Sequence, residues 1–253
     1  MNLLILCAGY AQRLQGLTGD FPKALLPVAG KPVLDTVLRY TAKHPALKSV
    51  FIVTNASHFE VFNTWLDSPE REPLKIPVKL LNDGSTCAGN KLGAIGDLAW
   101  SIGAAAIDGD DLVVVAGDTL FSTSQEEFIT RSIGKPCTTG TFDTGNVEAV
   151  KGIASVITAP NGQIVHFEEK PIKPESTVGG IALYYFQTDT LPLIEQYLAE
   201  GNNPDQAGHL IRWLTDRTEV YGIAISGHWI DIGTPESYQL AQIDKRRAES
   251  NQL

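Results

Sequence analysis

The sequence predicts an α/β protein built on a doubly wound, mostly parallel sheet with helices on both faces, followed by a mixed, β-rich second half. Three observations predict it. Short apolar runs alternate with stretches of helical spacing through the first 120 residues or so. Those runs are continuously apolar, as strands buried on both faces are, rather than alternating. From about residue 150 the order changes to strands joined by a short turn.

The elements follow in order. Residues 3–6 read as a buried strand, 33–43 as a helix entered through Lys31-Pro32, and 50–54 as a second strand. Residues 58–66 look helical, 78–81 form a third strand and 92–103 a helix. Leu112–Ala116, Leu-Val-Val-Val-Ala, is the most apolar strand. A short helix over 124–131 starts at Ser122-Thr123-Ser124 ahead of Glu126 and Glu127, a capping-box start. Residues 153–157 and 164–167 flank Pro160-Asn161-Gly162-Gln163 and predict a hairpin. Residues 181–186 and 220–225 read as strands, 191–199 and 209–214 as helices, and 235–247 as a closing helix with proline in its first turn. The polar segment 67–77 is a surface loop. With no linker and no repeat, the chain reads as one Rossmann-like domain over 1–253, divided into halves of about 1–120 and 121–235 and the closing helix.

The 253 residues are 43% hydrophobic and 19% charged, enough to bury roughly 70–75% of the unfolded surface without disulfides or a structural metal. Twenty basic against 29 acidic residues give a net charge of −9, which repels nucleic acid and anionic membrane. Cys7, Cys87 and Cys137 form neither a disulfide framework nor a C-x-x-C pair. The first residues lack the basic start of a leader, and no apolar stretch approaches 18 residues, so a cytoplasmic location is expected. A homo-oligomer is left open, and the closing helix leaves no room for a sizeable further domain.

In open α/β sheets, ligands bind beyond the carboxyl ends of the strands. The loop after the first strand reads Cys7-Ala8-Gly9-Tyr10-Ala11-Gln12-Arg13-Leu14 and runs on through Lys23. Small residues expose backbone amides, while Arg13 and Lys23 add positive charge, a combination that suits a triphosphate tail. There is no G-x-x-x-x-G-K-[ST] and no G-x-G-x-x-G after the strand. Asp118 follows the most apolar strand, and Asp231 sits between Ile230 and Ile232. A carboxylate so placed needs a cationic partner, and magnesium takes one or two carboxylates together with substrate phosphates. Asp110 and Asp111 precede the strand and belong at its far end, as solvated turn residues. No Ser–His–Asp set stands out.

Two motifs in order carry a resemblance. Cys7-Ala8-Gly9-Tyr10-Ala11-Gln12-Arg13-Leu14 is similar to A-G-G-x-G-T-R-L, and Pro22-Lys23-Ala24-Leu25-Leu26-Pro27-Val28 with Gly30-Lys31-Pro32 is similar to P-K-x-L-L-P-V and G-K-P. These are signatures of the sugar-1-phosphate nucleotidyltransferases, and the resemblance runs to about Leu240. Ala8 stands for the first glycine, Ala11 for the third and Gln12 for the threonine; Ala11 would be strained at any positive φ.

The resemblance implies Mg2+ held by Asp118 and Asp231, with Arg13, Lys23 and Lys170 as further catalytic groups. It implies a nucleotide site of Ala8, Gly9, Ala11, Gln12, Asn82 and Gly93, and an acceptor site of Gly152, Glu169, Lys170 and Gly180. Expected partners are a nucleoside triphosphate and a sugar 1-phosphate. Asn202-Asn203-Pro204-Asp205 reads as an ordinary helix-ending turn in preference to a border of the acceptor pocket. Three other activities fit the sequence less well. A cytidylyltransferase for phosphocholine or another non-sugar phosphate would want an aromatic cage. A silent nucleotide-sugar-binding regulatory subunit is opposed by the retained charged residues. A metal-dependent glycosyltransferase would want a D-x-D, which Asp118-Thr119-Leu120 does not supply.

Overall fold

The computed structural model describes residues 1–107 and 109–250, with the backbone alone for Gln15 and 244–250. Along the chain, β1 (Asn2–Leu6) leads through a long loop carrying α1 (Gln15–Thr18) to the small hairpin β2 (Pro27–Val28) and β3 (Lys31–Pro32). Then come α2 (Val33–Thr41), β4 (Ser49–Thr54), α3 (Phe59–Leu66), β5 (Val78–Asn82), α4 (Ala94–Ala104), β6 (Leu112–Ala116) and β7 (Thr119–Phe121). The second half holds α5 (Glu126–Ser132), β8 (Cys137–Asp143), α6 (Val147–Val150), β9 (Ala154–Thr158), β10 (Ile164–Glu169) and β11 (Val178–Phe186). It closes with α7 (Pro192–Ala199), α8 (Ala207–Leu214), β12 (Val220–Ala224), β13 (Trp229–Asp231) and α9 (Pro235–Ser250).

The expected α/β class holds. β5, β4, β1 and β6 lie side by side and parallel. Alternate residues of their apolar runs serve opposite faces. Leu3, Ile5, Ile52, Val113 and Val115 pack with α2 and α5, while Leu4, Phe51, Val53 and Val114 pack with α4, α7 and α8. Helices therefore cover both faces, as continuous apolar strands require.

β11 is antiparallel to β6 and joins the halves. One edge of β11 carries β8, which β12 extends in parallel. Its other edge is shared by two strands, β6 from Leu183 onward and β9 at Gly179 and Gly180. That register leaves Ile181 and Ala182 without a partner strand, opening a fork at the carboxyl end of β6.

Several expectations needed revision. β8 is Cys-Thr-Thr-Gly-Thr-Phe-Asp, whose threonines are too polar to register as an apolar run, yet Thr138, Thr139 and Thr141 are buried against neighbours. β7 and β13 form a separate antiparallel pair. The capping box at α5 is incomplete. The helix starts at Glu126 after Gln125, whose side chain makes no cap bond, and Ser124 Oγ reaches only Glu126 (backbone N at 3.4 Å, carboxylate at 2.9 Å). Asp110 and Asp111 do lie at the far end of β6, but both are anchored. Asp110 accepts from Lys48 at 2.6 Å, and Asp111 accepts from the Tyr185 hydroxyl at 2.7 Å.

Candidate active site

The fork opens into a cleft of about 630 Å³. Its first wall is the loop after β1. Asn55, buried and held by His58, donates to the Ala8 carbonyl at 3.0 Å, while the Tyr10 hydroxyl meets Ser85 Oγ at 3.0 Å. Ala11 adopts φ +45°, the left-handed conformation that its glycine-like position demands, with Leu14 N–H donating to its carbonyl at 2.8 Å. A Cβ in that region costs roughly 1–2 kcal/mol, so this loop is held by its neighbours rather than by its own preference. Ala8, Gly9, Ala11, Gln12 and Arg13 all line the cleft.

The floor is built by β6, β7 and β13. The end of β6 is pressed so closely on β1 that a Cβ at Gly117 would sit 2.3 Å from Cys7 Sγ. Asp118 follows, and its carboxylate pairs with the Lys23 ammonium. The β7–β13 ladder sets Asp231 opposite Thr119, whose hydroxyl donates to Asp231 Oδ1 at 2.7 Å. Ile232 N–H donates to the Asp118 carbonyl at 3.0 Å, so the two aspartates are locked side by side. Burial, then the like charge of Asp118, push the Asp231 carboxyl up to about 7, against the pull of Thr119, Lys23 and Arg13. Burial works against the Lys23 ammonium, but Asp118 outweighs it and raises the lysine above its ordinary value. Arg13 lies against Gly233, where an added Cβ would be 3.2 Å from its guanidinium.

Two crowded carboxylates, one held toward its neutral form, fit a divalent cation that takes its remaining ligands from phosphate and water. Among the described residues no cluster of three or more His, Cys, Asp or Glu side chains could hold a metal.

The third wall carries Gly152, Glu169, Lys170 and Gly180. Lys170, directly after β10, is held at φ +48° with its N–H on the Ile153 carbonyl at 3.0 Å. Glu169 packs on the start of α8, where a Cβ on Gly208 would fall 1.8 Å from its Oε2. Burial raises the Glu169 carboxyl, with Lys170 and His209 opposing. Tyr184 of β11 completes this wall.

The fourth wall is the start of α4. Gly93 sits at φ +83° with Pro204 O 2.7 Å from where a Cβ would be. Ile95 N–H donates to that same carbonyl at 2.8 Å, and Lys91 pairs with Asp205 at 3.0 Å. The segment 202–205 is thus a clasp on the wall, not an ordinary turn, and Asp205 and Gln206 line the cleft. Asn82 is not among the lining residues. Its exposed side chain accepts from Gly84 N–H at 2.9 Å and closes a local turn. Every other residue expected at the site lines this cleft. Tyr10, Lys91 and Asp205 also line the cleft, and Asp97, Tyr184 and Gly208 join them without having been singled out. For Asp97 a signal existed: it stands in the first turn of the helix that begins just after Gly93.

Comparison with known proteins identifies the family. The nucleotidyl transferase family model matches residues 2–247. The chain is similar to the bifunctional protein GlmU of Methanocaldococcus jannaschii, 23% identical over 235 residues, covering 93% of this chain and 52% of that protein. It is also similar to the UTP–glucose-1-phosphate uridylyltransferase of Synechocystis sp., 28% identical over 247 residues, covering 94% and 61% respectively. The chain thus spans about half the length of the first of these relatives. A crystal structure from Bacillus anthracis, named for glucose-1-phosphate thymidylyltransferase and holding sucrose, superposes with a TM-score of 0.77 at 21% identity, covering 97% of this chain and 95% of the other. With a family match running almost end to end over the strands and loops that build the cleft, the chain belongs to the nucleotidyl transferase family.

Proposed function

We propose that the protein transfers a nucleotidyl group from a nucleoside triphosphate to a sugar 1-phosphate in a Mg2+-dependent reaction, giving a nucleotide-sugar and pyrophosphate. The observation that carries this reading is the convergence, in one cleft, of Arg13, Lys23, Asp118 and Asp231 on one side and Lys170 and Glu169 on the other. Both substrates are anions, and charge repulsion between them is the main obstacle.

In this reading, an oxygen of the acceptor phosphate forms a bond to the α-phosphorus while the bond from that phosphorus to the bridging oxygen breaks, and the electron pair leaves with pyrophosphate. The exposed amides of the loop after β1, with Arg13 and Lys23, hold the departing phosphates. Lys170 holds the attacking phosphate, and Glu169 accepts hydrogen bonds from sugar hydroxyls. Asp118 and Asp231 would hold the Mg2+, which supplies charge neutralisation between phosphates. The acceptor phosphate is ionised at neutral pH, so no general base is needed. Catalysis is positioning and electrostatics.

A choline-like acceptor is disfavoured. Among the described residues the aromatic ones lining the cleft are Tyr10 and Tyr184, one in the loop after β1 and one on β11, and they do not make a cage. A matrix of nucleoside triphosphates against sugar 1-phosphates, read by pyrophosphate release, tests the assignment. A folded protein that binds nucleotide yet releases none with any pair is the silent subunit instead.

A further inference from the structure

Asp97 is an acid without an evident structural task. It stands in the first turn of α4, only 6% exposed, and lines the cleft beside Gly93 and Ala94. Its Oδ1 has no hydrogen-bond partner in the protein. An unpaired buried acceptor costs roughly 1–3 kcal/mol, a cost that a purely structural position would have removed with an apolar residue.

Its surroundings are acidic. The Asp97 carboxyl is hydrogen-bonded to Asp83, and Asp205 is close by. Asp83 is fixed in turn by Ser85, whose N–H and hydroxyl donate to it at 2.7 and 2.9 Å. Ser85 also meets Tyr10, so the chain of contacts runs from Asp97 to the loop after β1. The nearest cation, Lys91, is engaged by Asp205. Burial, then Asp83 and Asp205, push the Asp97 carboxyl up to about 8. The oxygen that the bond to Asp83 leaves unpaired is thus a buried acceptor set among acidic side chains.

We propose that Asp97 reads the nucleobase, accepting a hydrogen bond from an exocyclic amino group, and that the preferred triphosphate carries an amino-substituted base (cytosine, guanine or adenine) rather than uracil or thymine. The inference rests on the cleft being a nucleoside triphosphate site. An amino group turns its positive hydrogens toward the acidic set. Uracil and thymine present one N–H between two carbonyl oxygens, and at least one of those would face Asp83 or Asp205. A good base contact is worth roughly 1–3 kcal/mol of discrimination, about tenfold or more in affinity.

The test is calorimetric binding of CTP, GTP, ATP, UTP and dTTP to the wild-type protein and to Asp97→Asn, beside pyrophosphate release with the same nucleotides. The expected result is at least tenfold tighter binding of the best amino-base nucleotide over UTP and dTTP. Asp97→Asn should shrink that ratio about tenfold, because its amide adds a donor for a base carbonyl. Should Asp97→Asn not fold, Asp83→Asn, which leaves Asp97 in place and removes the neighbouring charge, must narrow the ratio too. Preference for UTP or dTTP, or a ratio untouched by the substitution, overturns the proposal alone. Selective binding without any turnover defeats the catalytic reading while leaving this one supported. Failure to bind any of the five nucleotides overturns both.

Discussion

The Lys23 ammonium is bonded to the Asp118 carboxylate, so the loop after β1 and the end of β6 meet through one ion pair at the bottom of the cleft. The two residues are 95 positions apart in sequence, and Asp118 holds the Lys23 ammonium above its ordinary value in a place that water only partly reaches. Loss of either leaves the other uncompensated beside Asp231. Lys23→Ala and Asp118→Asn are each expected to lower pyrophosphate release by about 10²–10³. The double variant should fall much less than the product of the two, since the groups act as a unit. Steady-state rates of the three variants check this.

Asp97 makes stability depend on pH. Its carboxyl is raised from the ordinary 3.8 to about 8 in the folded protein, first by burial and then by Asp83 and Asp205. Below the unfolded value both states hold the proton. Between it and about pH 8 the unfolded chain releases a proton that the folded one keeps, so stability falls as pH rises, by at most about 1.4 kcal/mol per unit from this group. Asp97→Asn should flatten that slope and raise the Tm at pH 8 relative to wild type. Urea unfolding between pH 5 and 8.5 measures it, and an identical slope in both proteins refutes it.

Gly208 positions Glu169. A methyl group there would fall 1.8 Å from Glu169 Oε2, and the flexible carboxylate, not the backbone, would give way. Gly208→Ala is therefore expected to leave the fold intact, raise the acceptor KM on the order of tenfold for one lost hydrogen-bonded contact, and leave the nucleotide KM unchanged. Equal effects on both KM values would contradict this.

Ala11 occupies φ +45°. Ala11→Gly removes the strain but adds chain entropy, each worth about 1 kcal/mol, so the Tm should hardly move. Ala11→Val places a β-branched side chain in the same conformation and should both lower the Tm and weaken triphosphate binding. Thermal melts with and without nucleotide separate the two effects.

How much of this was legible beforehand follows from what each residue depends on. The parallel half could be read because Leu-Val-Val-Val-Ala and its neighbours are buried on both faces. β8 could not, because its burial comes from threonines packing on neighbours that only the folded sheet supplies. Asp118 and Asp231 could be singled out as acids set among apolar residues. Their side-by-side placement depends on the β7–β13 pair, three residues per strand and too short to show a pattern. The turn that Asn82 closes could not be read, because a loop asparagine looks the same whether it faces a ligand or its own backbone. The clasp of Pro204 and Asp205 on α4 is a contact between segments more than 100 residues apart, which local sequence does not encode.

The central claim is that Asp118 and Asp231 work as one cation-holding pair for nucleotidyl transfer. The direct measurement is pyrophosphate release from the best triphosphate and sugar 1-phosphate pair, titrated with Mg2+, for wild type, Asp118→Asn and Asp231→Asn. The account predicts that wild-type release needs Mg2+ and that each folded variant loses at least 10² in rate, with the remaining activity requiring more metal. Near-normal release by a folded Asp118→Asn protein, or wild-type release indifferent to Mg2+, would contradict it.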